Sequence, residues 1–385
     1  MRDVLDQALA WHREGIRFAL ATVVRTWRSS PREPGATMAV AETGEVAGSL
    51  SGGCVEGAVV ELAQQVLATS SPALERYGVS DDDALAIGLT CGGVLEVLVR
   101  PVEVGAFAEL EELAGDVRAG RPVAVATTVT AGPLPPGARL VVGPGGHTGT
   151  LGDPGLDTRT ADAARDMLRR GATGMLGLVD SGCAEDPEVF VESYAPPPRM
   201  LVFGAIDFAA AVTRIGRFLG YRVTLCDARA VFATRQRFPE ADEVVVDWPH
   251  RYLAAVRDQI DERTVICVLT HDPKFDVPVL EVALRTPAGY VGAMGSRRTH
   301  QDRLRRLREA GLEPHELARL SSPIGLDLGA RGPEETAVSI AAEIVAVQGG
   351  GTGRRLSETR SPIHRRRPDA TPVGTRPAAG TEGGA

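Results

Sequence analysis

"MLVFGAIDFAAAVTRIGRFLGYRVTLCD", residues 200–227, decides the fold. MLVF is an apolar run short enough for a strand covered on both faces, and Asp207 to Leu219 follows with apolar residues at helical spacing. Gly220 ends that helix and YRVTLCD resumes as a second strand. The theme continues through EVVVD (243–247), TVICVLT (264–270) and YVGAM (290–294), separated by helical stretches such as Pro249 to Ile260 and Arg297 to Ala310. Strands alternating with helices predict a doubly wound parallel sheet, a Rossmann-like α/β domain over residues 200–348.

Ligands of such sheets sit beyond the carboxyl ends of the strands. The loops there carry Gly204 and Asp207 after the first strand, Asp227 and Arg229 after the second, His271 and Asp272 after the fourth, and Gly295, Ser296, Arg297 and Arg298 after the fifth. GSRR at a helix start offers backbone N–H groups and two guanidinium groups, a combination suited to a phosphate. The competing reading is a solvated first turn, because the helix dipole disfavours cations there. His271 and Asp272 could equally cap the helix that follows. Asp227 stands where a dinucleotide fold places its ribose acid, but GAIDFA breaks the glycine fingerprint, with Ile206 and Ala209 where the second and third glycines belong. Ordinary NAD(P) binding is therefore not expected.

Upstream, APPPR (195–199) cannot continue a helix or a central strand and reads as a linker. Residues 1–194 before it form a less regular α+β domain: a first helix with Leu5, Leu9 and Trp11, the strand FALATVV, a turn-rich stretch, a hairpin, and helices at about Val55 to Ala68 and Thr158 to Arg170. Two glycine-flanked cysteines stand out in it. SLSGGCVEGAVVEL (49–62) sets Cys54 after Gly52 and Gly53 at a helix start, and GLTCGGVLEVLV sets Cys91 before Gly92 and Gly93. Unpaired N–H groups at a helix start favour an anion and stabilise a thiolate. The glycines leave room for a bulky ligand, while Ser51 and Glu56 lie in the same turn, where Glu56 would cap the helix or face the thiol. Cys183, Cys226 and Cys267 read as packing.

Composition narrows the function classes. The 385-residue chain carries a formal net charge of −8, and from Gly349 to Ala385 it holds seven arginines against three acids, so the body is strongly acidic and nucleic acid is not an expected partner. Residues 349–385, rich in Gly, Pro, Thr and Arg, predict a disordered tail. The five cysteines are scattered without a CxxC pair, against a disulfide scaffold or zinc ribbon. The N-terminus lacks signal-peptide order and no apolar run reaches a membrane span, so a cytoplasmic protein is expected.

SSPREPGATM, GSLSGGCVEGAVV and GLTCGGVLEV resemble the N-terminal signature of the XdhC/CoxI family of accessory proteins for molybdenum hydroxylases. VLTHDPKFDVPVL, YVGAMGSRRTHQDRL and SSPIGLDLGARGPEETAVSIAAEIVA resemble its Rossmann-like C-terminal domain, so the likeness runs from about Ala19 to Ala346. The chain departs from the family pattern at Ile206 and Asp207, where many members have G-A-G-H, and at Gly332, where a threonine is usual.

The resemblance implies a factor that binds the molybdenum cofactor, molybdopterin or its cytosine dinucleotide form, protects it during sulfuration and delivers it to an apo-hydroxylase of the xanthine or carbon monoxide dehydrogenase type. A cysteine desulfurase as second partner and a homodimer are implied in the same way. SGGC, CGG and GSRR supply the N–H groups, arginines and open space such a ligand needs, with Cys54 at its metal and sulfur end. Two alternatives stay open. One is an NAD(P)-dependent oxidoreductase, supported by the fold and Asp227 and opposed by Ile206. The other is a thiol-redox protein using Cys54 and Cys91, opposed by the absence of CxxC.

Overall fold

The computed structural model describes residues 2–27, 32–78, 93–103, 110–131, 135–176 and 187–360. Cys91, Gly92 and Cys183 lie outside these, as do residues 361–385.

The N-terminal part holds α1 (Leu5–Glu14), β1 (Phe18–Trp27), β2 (Thr37–Ala41), β3 (Val46–Gly48), α2 (Glu56–Thr69), β4 (Ala73–Gly78) and β5 (Val94–Val102). The order then repeats: α3 (Leu110–Arg118), β6 (Val123–Thr128), β7 (Arg139–Gly143), β8 (Gly146–Gly149), α4 (Pro154–Arg170), β9 (Gly174–Met175) and β10 (Val189–Tyr194). Strand order within the sheets is β3-β2-β1-β5-β4 and β8-β7-β6-β10-β9, the same topology twice. Registers agree as well. Thr22 faces Thr37 as Thr127 faces Arg139, and Met38 faces Gly48 as Leu140 faces Gly149. Gly48 (φ 82°) and Gly149 (φ 86°) both have left-handed backbones, and a Cβ at either would stand 2.4 Å from the carbonyl oxygen of Thr37 or Arg139. The irregular α+β domain expected from the sequence is one unit built twice.

The two sheets pack face to face, and each covers its outer side with its own helix. Ala19, Ala21 and Val23 of β1 lie with Val59, Ala63 and Val66 of α2, while Phe18 and Leu20 share a core with Val123, Val125 and the helices α1 and α3. FALATVV is apolar at every position but Thr22 because both of its faces are covered. Leu98 and Phe190, which pair with Thr22 and Thr127 on their respective sheets, meet in one cluster with Val24 and Val129. Arg25 spans the two halves, donating to Glu96 Oε2 at 2.6 Å and Glu188 Oε1 at 2.5 Å.

The second domain contains β11 (Arg199–Phe203), α5 (Asp207–Phe218), β12 (Arg222–Cys226), β13 (Glu243–Val245), α6 (Pro249–Ala255) and β14 (Val265–Val268). It continues with α7 (Pro273–Ala283), β15 (Tyr290–Ala293), α8 (Arg297–Glu309), α9 (Pro314–Leu317), β16 (Leu320–Ser321) and α10 (Pro333–Gly349). Its sheet is parallel throughout, ordered β13-β12-β11-β14-β15-β16, so strands are added to one side of β11 and then, from β14 on, to the other. That is the doubly wound order with its crevice at the switch point. Met200 and Val202 face one core with Ala209 and Ile340, and Leu201 and Phe203 face the other with Val279 and Leu280. Gly204 (φ 112°) sits at the switch point, where a Cβ would come within 2.8 Å of the Thr270 side chain.

Two boundaries differ in detail from the expectation. Helix α6 stops at Ala255 and gives way to a single 3₁₀ turn, Arg257–Gln259. Helix α10 runs through Gly349 and is closed by Gly350 (φ 65°), whose N–H reaches the carbonyls of Ala346 and Val347, so the helix includes the residue at which the tail is expected to begin.

Candidate functional site

The Ser49–Glu56 turn is organised by one carboxylate. Glu56 accepts hydrogen bonds from the hydroxyls of Ser49 (2.7 Å) and Ser51 (2.7 Å) and from the backbone N–H groups of Leu50 (3.1 Å), Ser51 (2.9 Å), Gly52 (3.1 Å), Gly53 (2.9 Å) and Val55 (3.2 Å). Ser51 Oγ takes the N–H groups of Cys54 (3.0 Å) and Val55 (3.1 Å). Burial works to raise the Glu56 pKa, but the hydrogen bonds from Ser51, Ser49 and the backbone prevail and hold it far below the usual carboxylate range. From the sequence these N–H groups are expected to stand open to an external anion. The structure corrects this, since the chain's own Glu56 and Ser51 occupy them.

Open space remains above the glycines. Gly52 (φ 81°) and Gly53 (φ 119°) are exposed, and a Cβ at either would meet nothing within 4 Å. Cys54 is half-buried and packs against the apolar core beneath α2. Gly93 is buried at the foot of β5, its carbonyl 2.9 Å from where a Cβ on Gly78 would stand. Among the described residues no group of three or more His, Cys, Asp or Glu side chains is arranged to hold a metal ion. A metal bound through Cys54 would have to arrive with its other ligands. Between the two copies, the stretch after β1 lines a cleft of about 350 Å³, with Glu33 and Gly35 from the first and Thr173, Glu192 and Tyr194 from the second.

In the second domain the crevice residues gather at the carboxyl ends of the strands, but several are already engaged. Asp227, 2% exposed, accepts from Ala205 N at 2.7 Å, from Arg229 N at 2.8 Å, and from Arg229 Nε and Nη2 at 2.9 and 2.7 Å. Burial would raise its pKa, and the Arg229 and Ala205 hydrogen bonds outweigh that and lower it. The carboxylate that a ribose would need is consumed by Arg229, which the sequence places beside it in the same loop without showing that the two pair. Asp272 caps α7 through Lys274 N at 3.1 Å, and its ion pair with Lys274 keeps its pKa low. His271 is exposed. Ser296 caps α8 through Thr299 N at 3.1 Å, leaving Arg297 and Arg298 exposed beside Gly295.

A buried ion pair behind this crevice was not expected from the sequence. Arg303 Nη2 donates to Asp276 Oδ2 and to the Met294 carbonyl, both at 2.8 Å, while Nη1 reaches Ser322 Oγ at 3.0 Å; Asp276 also bonds the Thr270 hydroxyl. Both charged groups are 3% exposed. This pair ties together the loops after β14, β15 and β16. Its signal is a charged residue on the buried stripe of each helix, Asp276 in KFDVPVL and Arg303 in QDRL.

With this geometry in place, comparison with known proteins identifies the family. Residues 11–78 and 116–180 match the XdhC and CoxI family, and residues 200–344 match the XdhC Rossmann domain. The chain belongs to the XdhC/CoxI family. It is 27% identical over 348 residues to a probable xanthine dehydrogenase subunit of Bacillus subtilis, covering 89% of this chain and 96% of that one. It is 26% identical over 347 residues to the molybdenum cofactor insertion chaperone PaoD of Escherichia coli, covering 90% and 88% of the two chains. The crystal structure of a xanthine dehydrogenase from Bacillus halodurans superposes with a TM-score of 0.63 at 26% identity, over 92% of this chain and 97% of that one. Among the described residues no helix is long and apolar enough to cross a membrane.

Proposed function

We propose that this XdhC/CoxI member carries the molybdenum cofactor as cargo and hands it to an apo molybdenum hydroxylase, without catalytic turnover of its own. The names of its relatives, one a cofactor insertion chaperone and one a dehydrogenase subunit, support the role in maturation. The observation that carries the reading is the Cys54 turn: a half-buried thiol that follows two exposed glycines whose Cβ positions meet nothing within 4 Å, in a chain whose described residues offer a metal no complete ligand set.

The cofactor brings its own dithiolene ligands, so one protein sulfur suffices to hold its metal end, and Cys54 is assigned that part. Gly52 and Gly53 keep side-chain bulk away. Glu56 is assigned to the loop and not to the ligand. Arg297, Arg298 and the Ser296 cap are our candidates for the phosphate, at the crevice mouth where no described side chain neutralises either arginine. Cys91, Gly92 and Gly93 stay in the proposal as a second glycine-flanked cysteine, of which only Gly93 is described. Sulfuration by a cysteine desulfurase, a homodimer and a cytoplasmic setting complete the reading.

The oxidoreductase alternative loses its main support, because Arg229 and Ala205 N hold Asp227. The test is to denature the purified protein, oxidise the extract and look for fluorescent pterin. Pterin in near-stoichiometric amount is the expected result, and NAD(P) in its place would refute the proposal.

A further inference from the structure

The duplicated N-terminal unit contains its own control for the Cys54 turn. From Gly48 to Glu56 the first copy reads GSLSGGCVE, and from Gly149 to Asp157 the second reads GTLGDPGLD, the same length from an equivalent glycine to an equivalent acid. The outer anchors are shared. Thr150 Oγ1 and Leu151 N bond Asp157 at 2.7 and 2.6 Å, as Ser49 Oγ and Leu50 N bond Glu56 at 2.7 and 3.1 Å. Leu50 and Leu151 are both fully buried, as are Val55 and, within 1%, Leu156.

What lies between the anchors differs. In the second copy Asp153 caps α4 by accepting from Leu156 N at 2.7 Å, Pro154 takes the first helical position, and Asp157 N bonds Asp153 O at 2.9 Å. In the first copy the helix begins later, at Glu56, the counterpart of Asp157. Gly53, Cys54 and Val55, the counterparts of Pro154, Gly155 and Leu156, stand outside it, and their N–H groups turn to Glu56 and Ser51. The position that is exposed in the second copy, Gly155, is half-buried as Cys54 in the first.

We propose that the Cys54 turn is the first turn of α2 held unwound, and that Glu56, Ser51 and the two glycines are positioning residues that draw the thiol inward. The second copy is the wound form of the same unit and carries no thiol. A sealed turn of this length needs neither cysteine nor a glycine pair, so those residues serve the placement of the sulfur and not the fold. The assignment of that sulfur to the cofactor rests on the function proposed above; the unwinding does not.

The test transplants the second loop into the first in the full-length protein, as Ser51→Gly, Gly52→Asp, Gly53→Pro and Glu56→Asp, leaving Cys54 in place. The amides of residues 56 and 57 should gain hydrogen-exchange protection, and alkylation of Cys54 by iodoacetamide should quicken at least about five-fold as the thiol moves to the surface. A folded variant with unchanged alkylation overturns the proposal. Should that variant fail to fold, the reverse exchange decides. Gly155→Cys alone should give a readily alkylated thiol, and the same change combined with Gly152→Ser, Asp153→Gly, Pro154→Gly and Asp157→Glu should give a slower one; equal rates overturn the proposal. If exchange and alkylation change as expected while bound pterin stays at the wild-type level, the unwound turn stands and the cofactor role of Cys54 falls.

Discussion

Glu56→Gln removes the charge that gathers the Cys54 turn. The amide keeps one acceptor oxygen and turns an NH₂ group toward N–H donors. Of the five N–H groups now bound, those of Gly52 and Gly53 are exposed and can turn to water, and that of the buried Val55 keeps Ser51 Oγ, while Leu50 and Ser51, 0% and 5% exposed, have no such recourse. Losing charge-assisted bonds to two buried donors, with part recovered by the remaining oxygen, costs about 3 kcal/mol. For a unit of this size that lowers the melting temperature of the N-terminal transition by roughly 6–12 °C. Because two domains are present, calorimetry with domain assignment is the suitable assay. The pH dependence supplies a second readout. The folded pKa of Glu56 lies below its unfolded value, so its stabilisation is complete above about pH 5 and declines as pH falls through about 4.5 and below. The difference between wild type and Glu56→Gln should therefore shrink between pH 6 and pH 3.5. A gap that is constant over that range, or no destabilisation at neutral pH, would refute the account of the turn.

Arg303→Met strands the Asp276 carboxylate in the crevice wall and should cost about 3–5 kcal/mol in urea denaturation, with most of the loss recovered in Arg303→Met/Asp276→Leu. Cys226→Ser and Cys267→Ser place hydroxyls in the apolar parallel sheet and should each lose about 1–3 kcal/mol, with bound pterin unchanged in the folded fraction. NAD(H) and NADP(H) should bind no tighter than ~10⁻⁴ M by calorimetry, since Ile206 and the Asp227–Arg229 pair obstruct the crevice; micromolar binding would contradict this.

The second domain is legible in the sequence because its strands are short continuous apolar runs between caps and glycines, the pattern of a sheet covered on both sides. The duplication in the first is not. Its halves share anchors spread thinly along the chain, such as Gly48 and Gly149, Glu56 and Asp157, or Ala63 and Ala164, while the loop between the first two pairs differs both in residues and in conformation. The start of α4 is signalled by Asp153-Pro154, a cap and a first-turn proline, and not by Thr158. At the candidate sites, positions are readable and roles are not. Asp227 stands where a ribose acid belongs, yet only the folded chain shows Arg229 turning back on it. Glu56 is placed beside the thiol, yet the curl of the loop around its carboxylate depends on left-handed backbone at Gly52 and Gly53. Asp276 and Arg303 lie on separate helices and meet only through packing.

The account stands most directly on whether Cys54 holds the cargo. Wild type and Cys54→Ser, purified in parallel after confirmation that both melt at similar temperatures, should be denatured, oxidised and assayed for pterin fluorescence, and each should be used to mature an apo-hydroxylase. Wild type should yield pterin and an active client, while Cys54→Ser should yield several-fold less of both. Equal pterin and equal client activity from the two proteins would contradict the assignment of Cys54 to the cofactor.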